Sequence, residues 1–171
     1  MNEVRYYAKL LYELTVQAEK TNKQLVAEAK VLPEFDVMTS MPGIGPLSAS
    51  ERIGEVGDMR RFTNNRKLNA YVGVDLNRYQ SGTYTRQDHI NKRGDAKARA
   101  VRYVVVDSMI KQQAAAPNHI VNYYYRLKKG PHPKPDKVAR VACMNKTLKC
   151  LLTMVKANQK YDYSYHGLEV Q

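Results

Sequence analysis

The chain has 171 residues, which suits one domain with room for an added helix, and 43% of them are hydrophobic, enough for a core. Its net charge of +12, from 28 Lys and Arg against 16 Asp and Glu, points to an acidic partner, most commonly nucleic acid. No apolar run of about 18 residues spans a membrane and no secretory leader opens the chain. Cys143 and Cys150 lie two helical turns apart, about 10 Å, too far for a disulfide, and with four scattered histidines they form no zinc pattern. The chain therefore reads as intracellular, reduced and free of metal.

The first thirty residues lack Pro and Gly. Val4, Tyr7, Leu11, Leu14, Ala18, Thr21 and Leu25 repeat at 3,4 spacing, which predicts a long helix over residues 1–32 with a coiled-coil-like face. That face either packs on its own domain or pairs with another chain. Pro33 stops the helix.

Next comes "FDVMTSMPGIGPLSASERIGEV". A short helix to about Ser40, a turn over Met41 to Gly45 and a helix starting at Pro46 form the pattern of a helix-hairpin-helix. Gly43 and Gly45 allow positive φ or close approach, and Ile44 plugs the turn into a core. Turn amides facing solvent at a helix N-terminus bind a phosphate without reading bases. The plain alternative is an ordinary tight turn between helices.

Thr63 is expected to cap a third helix in which Leu68 and Tyr71 are buried. From Val74 to Ile90 the Tyr- and Thr-rich "VDLNRYQSGTYTRQDHI" turns at Ser81-Gly82 and predicts short strands or a small β-hairpin. Asp95 can cap a helix to about Ala115 with Ala98, Val101, Val105 and Met109 inward. "NHIVNYYYRLKK" is a short helix, and "GPHPKPD" is a loop. Lys137 to Ala157 is a last helix with Val138, Val141, Leu148, Leu152 and Val155 inward. Residues 158–171 read as a flexible tail. The fold class is thus mainly α, a helical domain over 33–157 carrying the helix-hairpin-helix and a small β-hairpin.

Two segments concentrate cations with few acids. One surrounds Ser81 and holds Arg78, Arg86, Lys92, Arg93 and Arg99; the other is "RLKKGPHPKPDKVAR", continued by Lys146 and Lys149. Scattered lysines usually form a solvated face, but acids are too sparse in both segments to pair most of these charges. Tyr123, Tyr124 and Tyr125 can stack on bases, although three consecutive residues cannot share one helix face, so one or two belong to the core.

"MPGIGPLSA", "GDMRRF", "AYVGV", "SGTYTR" and "NKRGDAKAR" occur in an order and spacing that resembles the C-terminal domain of insertion-sequence transposases of the IS-one-ten and IS-one-one-one-one group, the bridge-RNA-guided recombinases. The resemblance covers roughly residues 30–157. It implies a partner RuvC-like domain whose Asp-Glu-Asp-Asp set binds Mg²⁺, a set with no match in this sequence. It also implies that Ser81 is the nucleophile in DNA strand cleavage and exchange, that DNA and a guide RNA are partners, and that the setting is the cytoplasm of a bacterium or archaeon.

A serine hydroxyl can attack phosphorus and hold a strand as a phosphoserine ester that a second DNA end later displaces. It needs its proton removed and the phosphoryl charge stabilised. The arginines and lysines near Ser81 could supply the positive field, while no general base is evident nearby: His89 could be one, but a lone histidine at a strand end is more often structural. Three functions compete: a serine-using recombinase domain, a noncatalytic nucleic-acid-binding module, and an assembly domain joined through the N-terminal helix into a homo-oligomer.

Overall fold

The computed structural model describes residues 2–74, the short strands within 76–90 and residues 96–164; side chains are described over 3–74 and 103–164. The chain is mainly α-helical, with helices α1 (Asn2–Ala29), α2 (Pro33–Thr39), α3 (Pro46–Val56), α4 (Asn65–Val72), α5 (Ala96–Lys111), α6 (His119–Lys129) and α7 (Asp136–Ala157). A 3₁₀ turn over Met59–Arg61 joins α3 to α4. Two antiparallel ladders of two residues per strand lie between α4 and α5. β1 (Leu76–Asn77) pairs with β4 (His89–Ile90), and β2 (Gln80–Ser81) pairs with β3 (Tyr84–Thr85), with Ser81 opposite Tyr84. No helix among the described residues is long and apolar enough to cross a membrane.

The core is centred on α7, which packs against α6, α5, α2 and α4. Its buried residues include Ala139, Cys143, Met144, Leu148, Leu151 and Val155. Leu148 to Val155 follow the predicted stripe, but Val138 is 52% exposed. The inward face near the start of α7 passes through Ala139, one position on, which is fully buried. On α5, Val105 and Met109 are buried as the pattern requires, while the side chains of Ala98 and Val101 lie outside the described residues. The helix stops at Lys111, short of Ala115, and its chain closes through turn bonds at Gln112 and Ala115.

Local chemistry explains the helix ends. Asn64, rather than Thr63, caps α4: its side chain accepts from the Lys67 N–H at 3.0 Å. Asn118 caps α6 in the same way, accepting from the Ile120 N–H at 2.8 Å. Gly73 ends α4 in the left-handed region at φ 73°. Tyr71, expected in the core, stays partly exposed, because its hydroxyl donates to the Glu55 carbonyl and its ring packs on Phe62 and Arg61.

Two expectations about the chain's ends change. Residues 3–24 of α1 are exposed around the whole helix, so its apolar face does not pack on its own domain; only Val26 and Ala29 reach the core. Residues 158–164, expected to be flexible, are tied down. The Tyr161 N–H donates to Ser40 Oγ at 2.8 Å, the His119 N–H donates to Tyr161 Oη at 3.0 Å, and Asn122 Nδ2 donates to Tyr163 Oη at 2.9 Å. The His119 and Tyr163 rings stack with centroids 4.7 Å apart. Aromatic residues here supply the apolar area and hydrogen-bonding tips that periodicity alone does not reveal. Residues 165–171 lie outside the described residues.

Candidate nucleic-acid interface

The turn between α2 and α3 is held from three sides. The Ile44 side chain is buried and its N–H donates to the Met41 carbonyl at 3.1 Å. Asn118 Nδ2 donates to the Pro42 carbonyl at 3.0 Å, and Ser40 Oγ donates to the Val37 carbonyl at 2.6 Å. The Ile44 amide is therefore spent inside the turn, which corrects the expectation that all three turn amides face solvent.

The two glycines differ in what they do. Gly43 has φ +90°, and a Cβ there would lie 2.5 Å from Met109 Cγ and 2.9 Å from Met109 Cα, so its lack of a side chain lets the turn touch α5. Gly45 is exposed, has φ −78° and ψ 168°, and has nothing within 4 Å of where a Cβ would sit. No contact among the described residues requires glycine at position 45.

Gly45 is also the N-cap of α3, and Pro46 follows it at the first helical position. Pro46 has no N–H, so the amides of Leu47 and Ser48 are the donors left without intrahelical acceptors, at the positive end of the helix dipole. The packing of α1 on α3 opens a mostly apolar groove of ≈ 620 Å³ alongside, with Lys23, Val26, Ala27, Lys30, Pro46 and Leu47 on its walls. Neither lysine has a carboxylate within 4 Å among the described residues. Sequence reasoning missed Lys23 and Lys30, because they lie on the predicted coiled-coil helix, and only the packing of its last turns brings them to the glycine turn.

The second expected site falls largely where side chains are not described. Ser81 and His89 are placed as strand backbone, and Arg99 as backbone of α5; Arg78, Arg86, Lys92 and Arg93 lie outside the described residues. Among the described residues there is no group of three or more His, Cys, Asp or Glu placed to hold a metal ion.

The helix that follows the Ser81 segment is anchored at its far end. Arg140 Nη1 donates to Asp107 Oδ1 at 2.8 Å on α5, and Arg140 Nε donates to Asp136 Oδ2 at 2.8 Å. The Tyr124 hydroxyl donates to the other Asp136 oxygen at 2.5 Å. Hydrogen bonds from Lys111 and Arg140 hold the Asp107 carboxyl below its ordinary value, and Tyr124 and Arg140 do the same for Asp136. Burial pulls the Arg140 guanidinium down, but its bonds to Asp136 and Asp107 outweigh this and leave it raised. Burial pushes the Cys143 thiol up to about 12, so it is no thiolate nucleophile.

Comparison with known proteins converges on one group. Residues 36–120 match the profile described as the transposase IS116/IS110/IS902 family. A probable family 20 transposase of Pseudomonas aeruginosa is 29% identical over 91 residues, covering 53% of this chain and 27% of that protein. The transposase for insertion sequence element IS1111A of Coxiella burnetii is 32% identical over 79 residues, covering 46% of this chain and 22% of that protein. The chain thus spans about a quarter of the length of these curated relatives. Residues 36–120, which hold the glycine turn, Ser81 and α5, thus form a transposase domain of the IS116/IS110/IS902 group.

Proposed function

We propose that the chain is the DNA-binding and serine-bearing domain of an insertion-sequence transposase, acting in the cytoplasm. α2, its turn and α3 work as a helix-hairpin-helix. Gly43 and Ile44 shape the turn, and Gly45 leaves room for a phosphate to reach the Leu47 and Ser48 amides, with Lys23 and Lys30 adding positive charge beside it. The observation that carries this reading is the open space at Gly45, a glycine that no contact among the described residues explains, inside a segment matched to transposases.

The β2–β3 ladder acts as a small hairpin that presents Ser81. The Ser81 Oγ–P bond forms as a P–O bond to one strand end breaks; the serine proton passes to a base, and the departing oxygen takes up a proton. Arg78, Arg86, Lys92, Arg93 and Arg99 are the candidate stabilisers of the phosphoryl charge. Mg²⁺ chemistry belongs to a RuvC-like domain acting with this one. A guide RNA is the proposed selector of target DNA, and exposed α1 is the proposed seam between copies of the chain.

The test is a covalent protein–DNA adduct on a denaturing gel. The 171-residue chain alone is expected to bind duplex DNA with a dissociation constant of about 10⁻⁴ to 10⁻⁶ M at physiological salt and to form no adduct. Protein that includes the RuvC-like domain is expected to form one, and Ser81→Ala is expected to abolish it while leaving binding intact. An adduct that persists in Ser81→Ala removes Ser81 from the mechanism.

A further inference from the structure

The charge of the chain is concentrated in its last helices. Residues 118–160 hold ten Lys and Arg and one acid, Asp136, a balance of +9 out of the total +12. Asp136 is engaged by Arg140 and Tyr124, leaving the other cations of this region to find partners elsewhere.

Two of those cations meet on one ring. Tyr123 of α6 is half-buried against α7, with Lys146 Nζ 4.7 Å from its ring centroid and Arg126 Cζ 5.3 Å from it. Both distances lie within reach of a cation–π contact, and together they place the charges within about 10 Å of each other. On the flank, Lys129 Nζ sits 5.2 Å from the Tyr125 centroid. None of these three cations has a carboxylate within 4 Å among the described residues.

A helix C-terminus attracts cations, which accounts for Arg126 and Lys129 in the last turn of α6. It does not account for Lys146, which lies in the middle of α7 and converges on the same ring. An aromatic ring holds like charges in place but does not neutralise them. With cations on the Tyr123 ring, that ring is not available for stacking on a base, contrary to the sequence expectation; Tyr124 is buried in the core. What remains is a preset cluster of cations matched to a polyanion and indifferent to base identity.

We infer that the α6–α7 face around Tyr123, built from Arg126 and Lys146 and flanked by Lys129, is a second docking surface for the phosphate backbone of duplex DNA. It rests on the DNA-binding reading above but uses none of the residues of the glycine turn or the Ser81 segment.

The experiment measures binding of the full chain to two duplexes of unrelated sequence, and to a hairpin RNA, by fluorescence anisotropy as salt rises from about 50 to 200 mM. The double variant R126Q/K146Q is compared with wild type. Each lost phosphate contact flattens the log–log salt slope by about 0.9, so the double variant is expected to lose about 1.8, equally on both duplexes. Tyr123→Phe keeps the ring and is expected to keep the slope. Circular dichroism melts check folding; Arg126 is exposed, so R126Q alone, with an expected loss of about 0.9, serves if the double variant melts early. A steep wild-type slope left unchanged in the variants overturns this surface while sparing the DNA-binding reading. A flat wild-type slope overturns both. A slope change confined to the hairpin RNA overturns the assignment to DNA.

Discussion

Gly43→Ala, set beside Gly45→Val, separates a glycine that the fold needs from one that it does not. At Gly43 an added Cβ meets Met109 Cγ at 2.5 Å, Met109 Cα at 2.9 Å and Met109 N at 3.0 Å. The side-chain atom can swing aside, but the two backbone atoms belong to α5 and move only if the helix moves. Overpacking of this kind costs about 1–3 kcal/mol, and holding a non-glycine residue at φ +90° adds about 1–2 kcal/mol. The expected destabilisation is about 2–5 kcal/mol. At Gly45 the space is open and φ is −78°, so Val fits, and the main loss is a weaker N-cap, about 1 kcal/mol. Urea unfolding followed by circular dichroism gives both stabilities, and anisotropy with a duplex gives both affinities. Gly45→Val is expected to bind DNA at least tenfold more weakly while unfolding close to wild type. A Gly43→Ala protein as stable as wild type would refute the close approach of the turn to α5. Loss of binding at Gly45 only in step with stability would reduce that turn to a structural connection.

Two further predictions concern α1 and the Arg140 network. Leu11 is 67% exposed and Leu14 58%, so L11E/L14E is expected to leave the melt of the domain nearly unchanged. If α1 is the seam between copies, the same change weakens self-association by two orders of magnitude or more in analytical ultracentrifugation, since burying each Leu is worth about 1.5–3 kcal/mol. Asp107 and Asp136 titrate below their ordinary 3.8 in the folded chain, so the stability they add is complete above that value and fades as pH falls through the lowered ones. Arg140→Gln is therefore expected to be less stable than wild type at pH 7, with the gap narrowing below about pH 4; a gap independent of pH would mean that Arg140 acts through packing.

Those predictions draw on features that the sequence showed unequally. The helices, their order and the break at Pro33 follow from periodicity and from Pro and Gly, whose conformational limits are local. Val105, Met109, Leu148, Leu152 and Val155 sit where the spacing puts them. The failures are tertiary. Val138 satisfies the helical period yet is 52% exposed, and the buried face there passes through Ala139 instead. Lys23 and Lys30 reach the glycine turn only through the packing of α1 on α3. Gly43 and Gly45 are alike in sequence, and it takes Met109, more than sixty residues away, to tell them apart. The ring shared by Arg126 and Lys146 is likewise invisible until α6 and α7 are set side by side.

The bond from the Tyr161 N–H to Ser40 Oγ joins positions 121 residues apart. Ser40 opens the glycine turn, and Tyr161 also supplies the hydroxyl that accepts from His119 at the start of α6. During translation the turn is therefore made early and latched late. Asn118, which fastens Pro42, emerges before the latch, so the turn is secured in two stages, the second only after synthesis has passed Tyr161. Long-range closures of this kind form slowly, because the intervening chain must be ordered first. A nascent chain short of that point carries the glycine turn and the start of α3 without their final brace, and the finished turn is thereby tied to completion of the helical domain.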